Sequence, residues 1–224
     1  MCRHLFTCQI LNCLDGDGAL VGPADGSRAH RQFVFDLYQL QTRDPARYAA
    51  YGDLVGPRGL NLVTEFHWHE TRAGAGRRRR AAAPGPRWVI PTVVRDRDRL
   101  SYSQLAEGTL RALALVFYLL DEDSELVLLE EPEVGIHRGL LMSLLELIRS
   151  ESQRKQILIS THAESVLDAV QPENVFAVKR DARGTTAVRA LTAGTAEKDL
   201  AALREYLSRE GSLGEYWRTF GFPS

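Results

Sequence analysis

Cysteine is scarce in this chain, and the three present, Cys2, Cys8 and Cys13, all lie near its start. Their spacing matches no zinc-binding pattern and suggests no disulfide framework, so both a metal knuckle and a cross-linked scaffold are excluded. Long apolar runs are missing too. No stretch approaches the about 20 residues that a membrane span requires. Residues 1–14 are mildly apolar, but Arg3, His4, Gln9 and Asn12 interrupt them. With no small-residue cleavage site, they do not read as a secretory leader. Charge of one sign is also lacking: 28 basic residues stand against 29 acidic ones, a net charge of -1. That balance gives no global pull toward nucleic acid or an anionic membrane, and only a local basic patch could supply one.

What remains is ordinary globular material. The chain has 224 residues, of which 44% are hydrophobic and 25% charged. That is enough for one sizeable domain with its own core. A soluble, cytoplasmic protein is the expectation, with no membrane association.

Residues 1–30 read as a weakly structured start, and residues 31–224 as one α/β region. Apolar spacing predicts helices over 32–41 and 45–54, then a strand over 60–69. Residues 73–87 collect Arg, Gly and Pro, including Arg77, Arg78, Arg79 and Arg80, and read as a loop. A β-branched strand over 88–94 follows. The pattern then sharpens into a helix over 110–120, a strand over 125–129, a helix over 140–150, a strand over 156–160 and a helix over 163–170. Strands alternating with helices in this way indicate a parallel sheet flanked by helices. Strands over 175–179 and 185–191 suggest a hairpin, and 198–209 a final helix.

Three segments carry candidate chemistry. The run Leu126-Val127-Leu128-Leu129-Glu130-Glu131 is a buried strand with two carboxylates at its carboxyl end. Open α/β sheets place their sites at that end. One carboxylate there can hold magnesium, usually through water, and the next can activate an attacking water. The plainer alternative is a strand that merely ends in acid. Ser160-Thr161-His162 closes the next apolar strand, which would set a histidine beside the carboxylates. Leu105-Ala106-Glu107-Gly108-Thr109-Leu110-Arg111 opens an apolar helix, whose free N–H groups and dipole suit a phosphate. A simple cap with a glycine hinge is the alternative. The four arginines fit a solvated loop better than a nucleic-acid contact. His67 and His69 share a strand face but lack an evident third ligand. Trp88, Tyr216 and Trp217 fit packing better than base stacking.

In this order and spacing the three segments resemble ABC-class ATPases, above all the RecF-like, SMC-like and OLD-type branch of AAA-type ATPase cores. Residues 105–111 look like its signature motif, 126–131 like Walker B with the catalytic glutamate, 132–137 like its D-loop and 160–162 like its switch-histidine segment. The resemblance implies a P-loop NTPase-like fold, incomplete at its amino-terminal side, and ATP with Mg2+ as cofactors. It implies that Glu131 and His162 are catalytic and that Glu130 helps hold the metal. It further implies that Ala106, Glu107, Gly108, Thr109, Arg111, Ser160 and Thr161 contact nucleotide. A nucleic-acid maintenance or phage-defence ATPase is the implied setting. The chain departs from the pattern in three places. Glu130 stands for the usual aspartate, and Ala106 for the signature serine. No G-x-x-x-x-G-K-[ST] occurs: residues 22–27 come near one, but no lysine follows Gly26. A homodimer, or a complementary subunit supplying the P-loop, is therefore expected, with DNA as a further candidate partner. The alternative is a non-catalytic module, or a truncated product, that docks on a complete ATPase head.

Overall fold

The computed structural model describes residues 28–72, 87–95, 98–180, 184–192, 195–209 and 211–221. The four-arginine run, the three cysteines and the 73–86 loop lie outside the described residues. The chain divides into two compact units, one spanning Ile10–Glu122 and the other containing Asp123–Ser224.

In the first unit, helix α1 (Arg28–Arg43) and helix α2 (Pro45–Val55) are separated by Asp44. Asp44 caps α2 by accepting the Arg47 N–H, and Pro45 sits at the first helical position, where no N–H is needed. Gly56 ends the helix at a point where a Cβ would lie 2.6 Å from the Gly52 carbonyl oxygen. Strands β1 (Glu65–Arg72), β2 (Arg87–Arg95) and β3 (Asp98–Ser101) form an antiparallel sheet in that order. β1 begins later than its apolar pattern suggests, because Leu62 and Val63 bury themselves in the turn after α2 and both amides bond the Val55 carbonyl. A 3-10 turn at Tyr102–Gln104 then leads into helix α3 (Glu107–Leu119).

Aromatic rings hold this unit together. Phe117 meets Phe33 and Tyr51 edge to face, Tyr38 meets Trp68, and Phe66 stacks with Trp68. Phe33, Leu37, Tyr51, Val55, Val93 and Leu113 are almost fully buried. The one polar atom of Tyr51 is satisfied by donation to the Leu113 carbonyl at 3.0 Å. Its phenol is held well above the usual range by that burial.

In the second unit, strands β4 (Leu126–Glu130) and β5 (Gln156–Ser160) pair in parallel, with helix α4 (Arg138–Glu151) between them in sequence. Leu140, Leu141, Leu144, Leu145 and Ile148 recur at helical spacing on α4 and are buried. The fold is thus α/β with a parallel strand pair and its crossover helix, as the alternating pattern implies. A short helix α5 (Glu164–Leu167), an antiparallel hairpin of β6 (Phe176–Arg180) and β7 (Thr186–Ala190), and helices α6 (Glu197–Ser208) and α7 (Leu213–Phe220) complete it. Leu167, Val175, Leu191, Leu203 and Leu213 form a core there, with Tyr216 and Trp217 packed against it. α7 can approach α5 only because residue 214 is glycine: a Cβ would lie 2.6 Å from the Glu164 carbonyl oxygen. Among the described residues, no helix is long and apolar enough to cross a membrane.

Candidate functional site

β4 and β5 stop pairing at Glu130 and Ser160, which stand opposite each other. Apolar side chains drive both strands inward, so the first polar residues emerge together at the carboxyl edge. Just beyond, the Glu131 N–H donates to the Ser160 carbonyl at 2.9 Å. Glu131 itself has φ 43°, a left-handed conformation that few side-chain-bearing residues adopt. Strain of this kind persists where the surroundings enforce it, and it clusters at functional sites.

The Glu131 Oε1 atom lies 3.8 Å from His162 Nε2. His162 is 84% exposed and Glu131 42%, so their attraction is screened by water and adds little to stability. Both are accessible to a ligand. Glu130 is exposed at the strand end, and Ser160 and Thr161 are half-buried beside it. The donor set offered to a metal is therefore carboxylate and hydroxyl oxygen. That suits Mg2+, which prefers one or two carboxylates and completes its shell with water and phosphate. Among the described residues, no group of three His, Cys, Asp or Glu gathers as a protein-only metal site. His67 on β1 lies 3.3 Å from Glu65 Oε2.

One residue escaped the assignment of roles. Glu133 Oε1 accepts the Thr161 hydroxyl at 2.7 Å and the His162 backbone N–H at 3.2 Å. In the sequence it shows as a third acid in Glu130-Glu131-Pro132-Glu133, within the segment that resembles a D-loop. The rest of that turn, where Gly135 has φ 76°, leads to His137, whose Nδ1 caps α4 by accepting the Leu140 N–H at 3.2 Å.

The structure thus brings Glu130, Glu131, Ser160, Thr161 and His162 together. Ala106, Glu107, Gly108, Thr109 and Arg111 belong to the other unit, at the amino end of α3. No side chain caps that end; the Ala106 carbonyl accepts from Thr109 and Leu110. Ala106 and Glu107 are exposed, Gly108, Thr109 and Arg111 half-buried. The Glu107 carboxylate already complements the helix dipole in the first turn.

The comparisons with known proteins define the class: an ATPase domain of the AAA type. Within it, the chain belongs to the family described as "AAA domain, putative AbiEii toxin, Type IV TA system", which matches residues 30–168, well over half of the chain. It is 32% identical over 102 residues to the Old nuclease of Escherichia phage P2, covering 40% of this chain and 17% of that protein. Among solved structures, it is similar at a TM-score of 0.47 and 12% identity to a chain described under ATP-driven dimerization and DNA-stimulated activation of SMC ATPases, covering 75% of this chain and 97% of that one. The Smc head domain of Pyrococcus yayanosii is similar at a TM-score of 0.47 and 13% identity, over 79% of this chain and 34% of that one.

Proposed function

We propose that this chain carries the water-activating part of an ABC-class ATP hydrolase, in a nucleic-acid maintenance or phage-defence setting. The observation that carries the reading is the placement of Glu131 3.8 Å from His162 at the carboxyl edge of a parallel strand pair. Glu131 is the general base that takes a proton from the attacking water. His162 presents its ring nitrogen to the terminal phosphate. Glu130, with Ser160 opposite it, would help hold the metal. A Mg2+ ion held there would supply charge neutralisation on the phosphates.

The grip on the β- and γ-phosphates comes from outside the given sequence, since no G-x-x-x-x-G-K-[ST] occurs in it. A complementary subunit or segment that carries a P-loop supplies it. The amino end of α3 then acts across that dimer, with Gly108 admitting a phosphate close to the backbone amides. DNA is a further candidate partner.

A second reading is a non-catalytic module that docks on a complete ATPase head. Ala106, where the signature motif has a serine hydroxyl, favours it. ATP hydrolysis by the chain combined with a P-loop-bearing segment or subunit separates the two. Turnover that disappears with Glu131→Gln while nucleotide stays bound supports the hydrolase. A complex whose turnover ignores that substitution supports the docking module.

A further inference from the structure

Glu133 has no part in the hydrolytic chemistry above, yet it ties the turn after β4 to the loop after β5. Its Oε1 accepts two donors, the Thr161 hydroxyl at 2.7 Å and the His162 backbone N–H at 3.2 Å. While its hydroxyl donates to the carboxylate, Thr161 Oγ1 also accepts the Ala163 N–H at 2.9 Å. Thr161 and His162 are thereby fastened to one side chain 28 and 29 residues away in sequence, and Ala163 is held to them through the Thr161 hydroxyl. Glu133 Oε2 is buried with no hydrogen-bond partner. A carboxylate oxygen taken out of water without a partner costs free energy, so the Oε1 bonds have to offset that cost.

The exposed ring of His162 has little packing to hold it. Its place is set by its backbone, and Glu133 holds that backbone. Glu131 is likewise set by its backbone, through its left-handed φ and its bond to Ser160. The Glu133 turn is stiffened by the Val134 N–H to the Glu131 carbonyl at 3.0 Å and the Ile136 N–H to the Glu133 carbonyl at 3.1 Å.

We infer that Glu133 is the positioning residue that sets the His162 ring against Glu131. This rests on the reading of Glu131 and His162 as a working pair. Glu133 acts through the His162 backbone, whose N–H it accepts. Glutamine at 133 keeps an acceptor oxygen for both donors, and alanine keeps none.

The test is nuclear magnetic resonance on the full chain in three backgrounds: the parent, Glu133→Gln and Glu133→Ala. Two signals are read in each, hydrogen exchange of the His162 amide and the shift of the His162 ring resonances on adding Glu131→Gln. Amide exchange at His162 is expected to stay near the parental rate in Glu133→Gln and to rise on the order of tenfold or more in Glu133→Ala. The ring is expected to sense Glu131→Gln in the parent and in Glu133→Gln, and to lose that response in Glu133→Ala. If Glu133→Ala does not fold, Thr161→Val, which removes the hydroxyl anchoring the Glu133 carboxylate, is read in the same way. An unchanged exchange rate, or a ring response that survives loss of the anchor, overturns the inference. A parental ring that ignores Glu131→Gln overturns it as well. The hydrolase reading is judged separately, by ATP turnover with the P-loop supplied, so failure of one is distinguishable from failure of the other.

Discussion

The Glu131 amide donates to the Ser160 carbonyl at 2.9 Å, and this bond is made with Glu131 in a left-handed conformation at φ 43°. The bond binds the ends of the two parallel strands to each other, and the Glu131 carboxylate lies 3.8 Å from the His162 ring. Stability and activity are therefore expected to pull in opposite directions at residue 131.

Glu131→Gln should abolish turnover in a protein supplied with its P-loop, by on the order of 10²-fold or more, with ATP binding nearly intact. Glutamine keeps the shape but is too weak a base to take a proton from water. Glu131→Gly should abolish turnover too, but it should raise the stability of the fold by about 1 kcal/mol, because glycine adopts positive φ without penalty. Phosphate release and denaturant unfolding on the two variants check this. A Gln variant with near-parental turnover would remove Glu131 from the role of base.

Glu130→Gln should behave differently. It weakens the metal site and leaves the base in place, so it should raise the magnesium concentration needed for half-maximal turnover. His162→Ala should slow turnover and loosen the nucleotide-bound dimer. Turnover titrated against magnesium and ATP distinguishes these patterns, and an unchanged magnesium requirement in Glu130→Gln would contradict the metal assignment.

The chain by itself should bind ATP–Mg2+ poorly and hydrolyse it at background rate, since the backbone cradle and lysine of a P-loop give most of the phosphate grip. Calorimetric titration measures this directly; micromolar binding with steady turnover would contradict it. In the restored complex, Ala106→Ser returns a hydroxyl to the start of α3 and should hold turnover or raise it.

Gly214→Ala should destabilise the second unit. The new Cβ would lie 2.6 Å from both Cβ and the carbonyl oxygen of Glu164 and 2.7 Å from its Cα, and backbone atoms cannot step aside as a side-chain tip would. The change should also disturb the Gly214 N–H bond to Asp168 Oδ1, now 2.7 Å. Overpacking of this kind costs roughly 1–3 kcal/mol. A thermal unfolding midpoint equal to that of the parent would contradict the close approach of α7 to α5.

Asp36 should make the first unit more stable in mild acid. Burial raises its carboxyl above the ordinary aspartate range, outweighing the hydrogen bonds from Gln32 and Tyr118 that act the other way. A carboxyl with a raised folded-state pKa holds its proton more tightly in the fold than in the unfolded chain. Its contribution to stability is full below the unfolded value and is lost as pH rises through the folded one. Asp36→Asn removes that titration, so its unfolding midpoint should vary less with pH over this window. Parallel pH profiles for parent and variant would contradict the assignment.

Much of the architecture was legible in the sequence because burial leaves a local, periodic trace. The spacing of Leu140, Leu141, Leu144, Leu145 and Ile148 announces α4, and the apolar stretches before Glu130 and Ser160 announce β4 and β5. The short strand β3 was not legible. It opens with Asp98 and Arg99 and has no apolar alternation; it is a strand because β2 offers it an edge. The last helix, α7, is not legible either, although its Tyr216 and Trp217 pack against the core as expected. The candidate site divides along the same line. That Glu130, Glu131 and His162 end apolar strands is written in the sequence. Which carboxylate oxygen meets which donor was decided only in three dimensions, by the parallel register that sets Glu130 opposite Ser160 and the turn that brings Glu133 to Thr161. Periodicity records which residues leave water, whereas a hydrogen bond spanning 28 residues of chain depends on how two separate strands come to lie side by side.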